Sequence, residues 1–259
     1  VKLTPNITDV IYPAEACLEG GADAVSLINT INSIMRVDYD SLTMFPTTGG
    51  MGTHGGYCGE AVKPIALNMV AEIARNEKTK NLPISGIGGV TTWKDAVDFI
   101  ALGASNVQVC TAAMVYGFKI VEDMKTGLSN FLDEKGMNSV DELIGKAVPS
   151  VTDWKFLNLN HVDKAVIDQE KCIKCGRCHI VCEDTSHQAI NYSNDEGNRV
   201  FTVDDTECVG CNLCVSVCPI VDCITMVAME SGTDPRTGKV ITSEPADWTT
   251  HENNPLKVS

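Results

Sequence analysis

Eight of the chain's twelve cysteines fall at one repeated spacing, and no other feature narrows the possible folds as much. The first run is Cys172-x2-Cys175-x2-Cys178-x3-Cys182. The second is Cys208-x2-Cys211-x2-Cys214-x3-Cys218, followed at once by Pro219. Three thiolates two residues apart can wrap a cubane from one tight loop, and thiolate is the soft ligand that iron–sulfur clusters need. This is the bacterial-type spacing for two 4Fe–4S clusters, in which the fourth cysteine of each run crosses to the other cluster. One cluster then takes Cys172, Cys175, Cys178 and Cys218; the other takes Cys208, Cys211, Cys214 and Cys182. Zinc sites usually join two Cys-x-x-Cys pairs rather than triples with a fourth cysteine at fixed distance. A disulfide framework sits poorly with an acidic, enzyme-like chain.

The runs belong to an internal repeat, with Gly176 and Gly210 expected to relax the backbone inside the ligand loops. The fourth thiolate of each run is expected to begin a helix. Cys182 precedes Glu183 where Cys218 precedes Pro219, so the two crossing ligands have different surroundings. Between the runs, residues 189–192 and 199–203 read as short strands with a turn over 194–198. The result is an α+β, ferredoxin-like module over residues 166–229, of a size at which clusters replace a large apolar core.

The remaining length leaves room for a second domain. The chain has 259 residues, 44% of them hydrophobic, and a formal charge of −14. Such an acidic balance argues against a nucleic-acid surface. With no apolar run of about twenty residues, no membrane-spanning helix is expected. Thiolate clusters imply a reducing compartment, most simply the cytoplasm. The chain opens on Val1-Lys2-Leu3-Thr4, which reads as a strand running into a loop, so an N-terminally truncated piece of a longer protein is expected.

Residues 1–135 alternate strand and helix. Strands are expected over 1–3, 24–28, 83–85 and 106–109. Helices are expected over 7–19, capped by Asn6 or Thr8, then over 61–75, 92–102 and 120–135, with a short one opening at Cys110-Thr111. A long glycine-rich loop is expected over 44–59. Four consecutive β/α units suit a doubly wound sheet or half of an eight-fold barrel. The strand ends favour the C-terminal half of a (β/α)8 TIM barrel, because Gly88-Gly89 and Cys110-Thr111 lie where barrels often hold a phosphate. An ordinary tight turn is the plainer reading of the two glycines. Lys2, in an apolar strand, suits a negative charge at a barrel mouth, and Asn29-Thr30 supply donors and acceptors beside it.

Several motifs coincide: Val1-Lys2-Leu3-Thr4-Pro5-Asn6, Ile28-Asn29-Thr30, Gly59-x-Ala61-x-Lys63-Pro64, Gly86-Ile87-Gly88-Gly89, Gln108-Val109-Cys110-Thr111, and the second cysteine run ending Cys218-Pro219-Ile220-Val221-Asp222-Cys223-Ile224. Together they resemble the C-terminal portion of the dihydropyrimidine dehydrogenases, above all the bacterial NAD-dependent catalytic subunits. The resemblance runs from Val1 to about Met226, and its barrel motifs are shared with dihydroorotate dehydrogenases. It implies FMN bound by Lys2, Gly59, Ile87, Gly88, Gly89, Cys110 and Thr111, and uracil, thymine or their dihydro forms bound by Asn29 and Thr30. It implies electrons relayed by the two clusters to a partner subunit carrying FAD and the NAD site, hence a hetero-oligomer. The catalytic acid of that family is a loop cysteine expected upstream of Val1; neither Cys17 nor Cys58 matches it. Two rival readings are a ferredoxin-type electron-carrier module and a dihydroorotate-type enzyme with a fused ferredoxin. For the latter, Lys63 is the nearby cation for a carboxylate, though it also suits a helix start.

The expected organisation is a partial FMN barrel over 1–148, a linker over 149–165 anchored by Trp154 and Phe156, the cluster module over 166–229, and a polar tail over 230–259 containing Pro235, Pro245 and Pro255.

Overall fold

The computed structural model describes residues 1–157, 161–185, 187–195, 197–229 and 232–241. The chain divides into two compact units, Val1–Val151 and the part from Thr152 onward. Among the described residues no helix is long and apolar enough to cross a membrane.

The first unit is built on a parallel sheet of β1 (Val25–Leu27), β6 (Ile84–Ile87) and β7 (Asn106–Gln108), in the order β1-β6-β7. Val25 pairs with Ile84 and Leu27 with Gly86; Ile87 pairs with Gln108. Parallel strands need long crossovers, and helices supply them here. These are α2 (Lys63–Arg75) and α3 (Trp93–Ala101), with α1 (Ile11–Glu19) before β1 and α4 (Thr111–Tyr116) and α5 (Ile120–Lys135) after β7. Helix α2 turns Ala66, Met69, Val70 and Ile73 inward at the i, i+3, i+4, i+7 spacing of one helix face. They meet Leu27, Ile84 and Phe99, all wholly buried. Helix α3 opens on a capping box in which Thr92 and Asp95 satisfy each other's backbone amides.

Three expectations for this unit change. Residues 1–3 form a single parallel bridge, Lys2 to Ser26, rather than a full strand, with the Leu3 amide donating to the Ser26 carbonyl at 2.8 Å. Helix α1 starts at Ile11, not residue 7, and neither Asn6 nor Thr8 caps it. Asn6 is drawn elsewhere: its Oδ1 accepts from the Asn32 amide and its Nδ2 donates to the Thr30 carbonyl. The expected glycine-rich loop is half of a two-tiered antiparallel excursion. There β2 (Ile31–Ser33) pairs with β5 (Gly55–Tyr57), and β3 (Arg36–Val37) pairs with β4 (Met44–Phe45). Strands of two and three residues carry no readable alternation.

The second unit has two antiparallel pairs and two short helices. β8 (Asp163–Ile167) pairs with β11 (Ile224–Ala228), and β9 (Ile190–Asp195) with β10 (Asn198–Val203). Helices α6 (Arg177–Asp184) and α7 (Leu213–Val217) lie between these strands in sequence. The expected helix starts shift by one ligand. Each helix opens before the third cysteine, so α6 holds both Cys178 and Cys182, and Cys218 is the C-cap of α7. The cause is a left-handed residue directly before each helix, Gly176 at φ 82° and Asn212 at φ 65°. A second left-handed pair, Lys174 at φ 60° and Gly210 at φ 72°, occupies equivalent places in the two loops. Each repeat thus spends one glycine where the other tolerates a side chain.

Strand β8 begins at Asp163, inside the expected linker. Trp154 is 71% exposed and Phe156 47%, so neither is a buried anchor. Residues 232–241 are not a loose wrap: Asp234 is buried and pairs with the buried Lys164 at 3.2 Å. The turn expected over 194–198 includes residue 196, and Pro245 and Pro255 belong to the rest of the tail; these lie outside the described residues.

Candidate functional site

A cavity of about 190 Å³ opens where β6 and β7 end. Its lining contains Lys2, Asn29, Thr30, Gly59, Ile87, Gly88, Gly89, Cys110 and Thr111, the residues the sequence singles out for cofactor and pyrimidine. The glycines are there because backbone crowds backbone. Gly89 has φ 74°, and a Cβ on it would stand 2.9 Å from the Gly59 carbonyl oxygen. Gly88 has φ 136°, and its Cβ would stand 3.0 Å from Ala66 Cβ. Gly59, at φ 95°, turns the chain into the 3-10 turn Glu60–Val62 that leads α2. These three glycines therefore leave main chain, not side chain, on the cavity wall.

The polar groups around that wall are held unequally. Asn29 Oδ1 accepts from the Thr30 amide at 2.9 Å, and Thr30 packs against Gly56 so closely that a Cβ there would lie 2.2 Å from its hydroxyl. Lys2 is exposed rather than buried in a strand, so it carries no burial penalty. Lys63 does start α2, but its ammonium donates to Asp95 at 2.5 Å and to Asp98 at 3.1 Å. Burial works to raise the Asp95 carboxyl. The Lys63 ammonium and the hydroxyl and amide of Thr91 outweigh it, and the net result lies well below the usual carboxylate range. Lys63 is thereby committed to the fold.

Three cavity residues carry no role in the sequence reading. Gln108 donates from Nε2 to Ser26 at 2.9 Å and to Ser85 at 2.7 Å, which fixes an amide beneath the opening. Its signal was a polar residue in an otherwise apolar strand. Cys58 accepts a hydrogen bond from the Thr111 hydroxyl at 3.4 Å, and Tyr57 stands beside it. Nothing local marks either.

In the second unit the cysteines sort into two cavities. One is lined by Cys172, Cys175, Cys178 and Cys218, with Phe201 and Ile224. The other is lined by Cys208, Cys211, Cys214 and Cys182, with Ile190 and Met226. Each thus draws three thiols from one run and the fourth from the other. The Ala189 amide donates to Cys182 Sγ at 3.2 Å, a bond suited to a ligating thiolate. Burial pushes the Cys178 thiol up to about 11 and raises Cys214 as well. Such thiols lose their protons only to a strong electrophile, which iron provides. Among the described residues, no three His, Cys, Asp or Glu side chains gather tightly enough to hold a lone metal ion. The donor set fits a cubane held at its corners by four sulfurs. A fifth thiol, Cys223, also lines the first cavity; burial and its neighbour Cys218 push it up to about 12.

Comparison with known proteins follows the same division. A family model described as dihydroorotate dehydrogenase matches residues 1–132, and one described as a 4Fe-4S dicluster domain matches residues 165–226. The NAD-dependent dihydropyrimidine dehydrogenase subunit PreA of Escherichia coli (strain K12) is 42% identical over 225 residues, 87% of this chain and 54% of that one. The chloroplastic dihydropyrimidine dehydrogenase (NADP(+)) of Arabidopsis thaliana is 38% identical over 178 residues, 68% of this chain and 41% of that one. The catalytic subunit of dihydroorotate dehydrogenase B (NAD(+)) from Thermococcus kodakarensis is 42% identical over 147 residues, 57% of this chain and 46% of that one. The chain spans about half the length of the curated relatives it matches.

Proposed function

The chain belongs to the dihydroorotate dehydrogenase family, with a 4Fe–4S dicluster domain in the same polypeptide, and we propose that it is the catalytic part of an NAD-dependent dihydropyrimidine dehydrogenase. The observation that carries this reading is that one chain holds both a glycine-walled cavity at parallel strand ends and two cavities of four cysteines each. On this reading the first unit is the C-terminal half of a (β/α)8 barrel, with domain limits near residues 148 and 166.

The residues fit FMN. Gly88 and Gly89, with Cys110 and Thr111 at the start of α4, offer main-chain amides to a phosphate, and Gly59 leaves room for a ring. Lys2 offers a positive charge to the flavin. Bound here, FMN supplies two-electron exchange with carbon and one-electron exchange with a cluster. Asn29 and Thr30 hold the amide edge of uracil or thymine, or of the dihydro forms. The eight cysteines of the two runs hold two 4Fe–4S clusters, which link this site to a partner subunit bearing FAD and the NAD site.

One observation weighs between this and the dihydroorotate-type reading. A carboxylate on the pyrimidine calls for a free cation, and Lys63 is engaged by two aspartates. Anaerobic titration of the intact, flavin-loaded protein tests the choice. Dihydrouracil or dihydrothymine is expected to bleach the flavin absorbance, and dihydroorotate is expected to leave it unchanged. Bleaching by dihydroorotate alone would overturn the substrate assignment, and no bleaching with any dihydropyrimidine would leave the electron-carrier reading in its place.

A further inference from the structure

The two cysteine cavities are built alike except at one place. After the first run the chain reaches Gln188, at φ 53°, then Ala189 and the start of β9. After the second it reaches Asp222, at φ 55°, then Cys223 and the start of β11. Ala189 and Cys223 are therefore structural counterparts. Each is 2% exposed, each lines the cavity of its own repeat, and each is followed by a buried isoleucine. Alanine satisfies the packing at this position in one repeat, so packing alone does not call for a thiol in the other.

The Cys223 sulfur is well placed. It is in contact with the thiols of Cys218 and Cys172, two of the four ligands of the first cavity. Its Sγ donates weakly to the Asp168 carbonyl, at 3.7 Å. The backbone around it is rigid, because the Asp168 amide donates to the Cys223 carbonyl at 2.8 Å and Ile224 pairs with Ile167. The fourth ligands also differ. Cys182 receives the Ala189 amide, whereas the Cys223 amide bonds to the Ile220 carbonyl instead.

We propose that Cys223 is a reserve ligand of the first cluster, able to take the iron that Cys218 holds when that cysteine is lost. The exchange is a substitution at iron without electron transfer. The Cys223 thiol gives its proton to solvent as its sulfur–iron bond forms at the vacated corner. The second cluster has no such reserve, because Ala189 stands at the matching place. This inference rests on the reading that the two cavities hold clusters.

The test compares crossing ligands in the intact protein, prepared anaerobically and assayed for iron, acid-labile sulfide and the low-temperature EPR of the reduced clusters. Cys182→Ala is expected to lose about half of the iron, one cluster of two. Cys218→Ala is expected to keep the wild-type iron content, with one EPR signal shifted by the changed ligand geometry. Cys218→Ala combined with Cys223→Ala is expected to fall to the level of Cys182→Ala. In Cys218→Ala, the unshifted EPR signal of the second cluster reports that the unit is folded. Loss of one or both clusters from Cys218→Ala, or full iron in the double variant, would overturn the proposal. A wild-type protein with fewer than two clusters would instead overturn the cluster reading beneath it.

Discussion

The two units bury similar kinds of local structure around different materials. In Val1–Val151 the interior is aliphatic and aromatic: Leu27, Val70, Ile73, Ile84 and Phe99 interlock between sheet and helices. In the unit from Thr152 onward, Cys178, Cys182, Cys208, Cys214 and Cys223 stand among Ala165, Ile190, Phe201 and Ile224. Buried hydrocarbon stabilises by leaving water, with no partner of specific chemistry required. Buried thiols contribute little beyond small apolar volume until a metal draws off their protons. The first unit's stability is therefore a matter of packing, and the second's a matter of coordination.

Removing the iron should break the comparison most sharply. Anaerobic chelation under denaturant-free conditions is expected to abolish hydrogen-exchange protection in β8 to β11 while leaving β1, β6 and β7 protected. Equal loss in both units would mean that their cores are not independent in kind. Next in size is Phe99→Ala, which opens a cavity at a wholly buried ring and should cost about 3–5 kcal/mol. Chemical denaturation followed by tryptophan fluorescence should show it, with the cluster absorbance at its usual strength in native conditions. Gly86→Ala should cost less, about 1–3 kcal/mol, because its Cβ would meet Phe99 Cδ1 at 2.5 Å.

The smallest effects concern the one feature the units share, a buried aspartate paired with a lysine. Lys63 holds Asp95 in the first unit and Lys164 holds Asp234 in the second. Burial tends to raise Asp234, but the Thr237 hydroxyl, the Arg236 amide and Lys164 bring it to about 2. Both carboxyls are depressed on folding, so each stabilises fully above the unfolded value near 3.9 and loses that contribution as pH falls toward its folded value. Asp95→Asn should lower stability at neutral pH by about 1–2 kcal/mol and flatten the acid limb of the stability profile below about pH 4. Asp234→Asn should do the same for the second unit alone. An unchanged acid limb in either variant would show that the pair does not govern acid stability there.

Helix α5 and the capping box of α3 were legible because each is set by residues within a turn of one another. The cysteine runs were legible for a different reason: a cubane demands sulfurs at fixed offsets, so ligand chemistry writes a spacing into the chain. Helix α1 was misread at its start because Asn6, a good cap by type, found better partners at Thr30 and Asn32. The excursion over residues 31–57 was read as loop because strands this short leave no pattern.

From sequence alone came the alternation of strand and helix through the first unit, the glycines near its strand ends and the two four-cysteine sets. These follow from local backbone preferences and from coordination chemistry, both of which act over a few residues. Only the tertiary structure decided that Lys63 is spent on Asp95 and Asp98, that Gln108 is held by Ser26 and Ser85, and that Cys223 stands against Cys218 and Cys172. Most of those partners lie dozens of residues apart, and even Cys218 reaches Cys223 only through a turn that ends in a left-handed residue. Side-chain chemistry names what a group can bind; packing settles which of the possible partners is within reach.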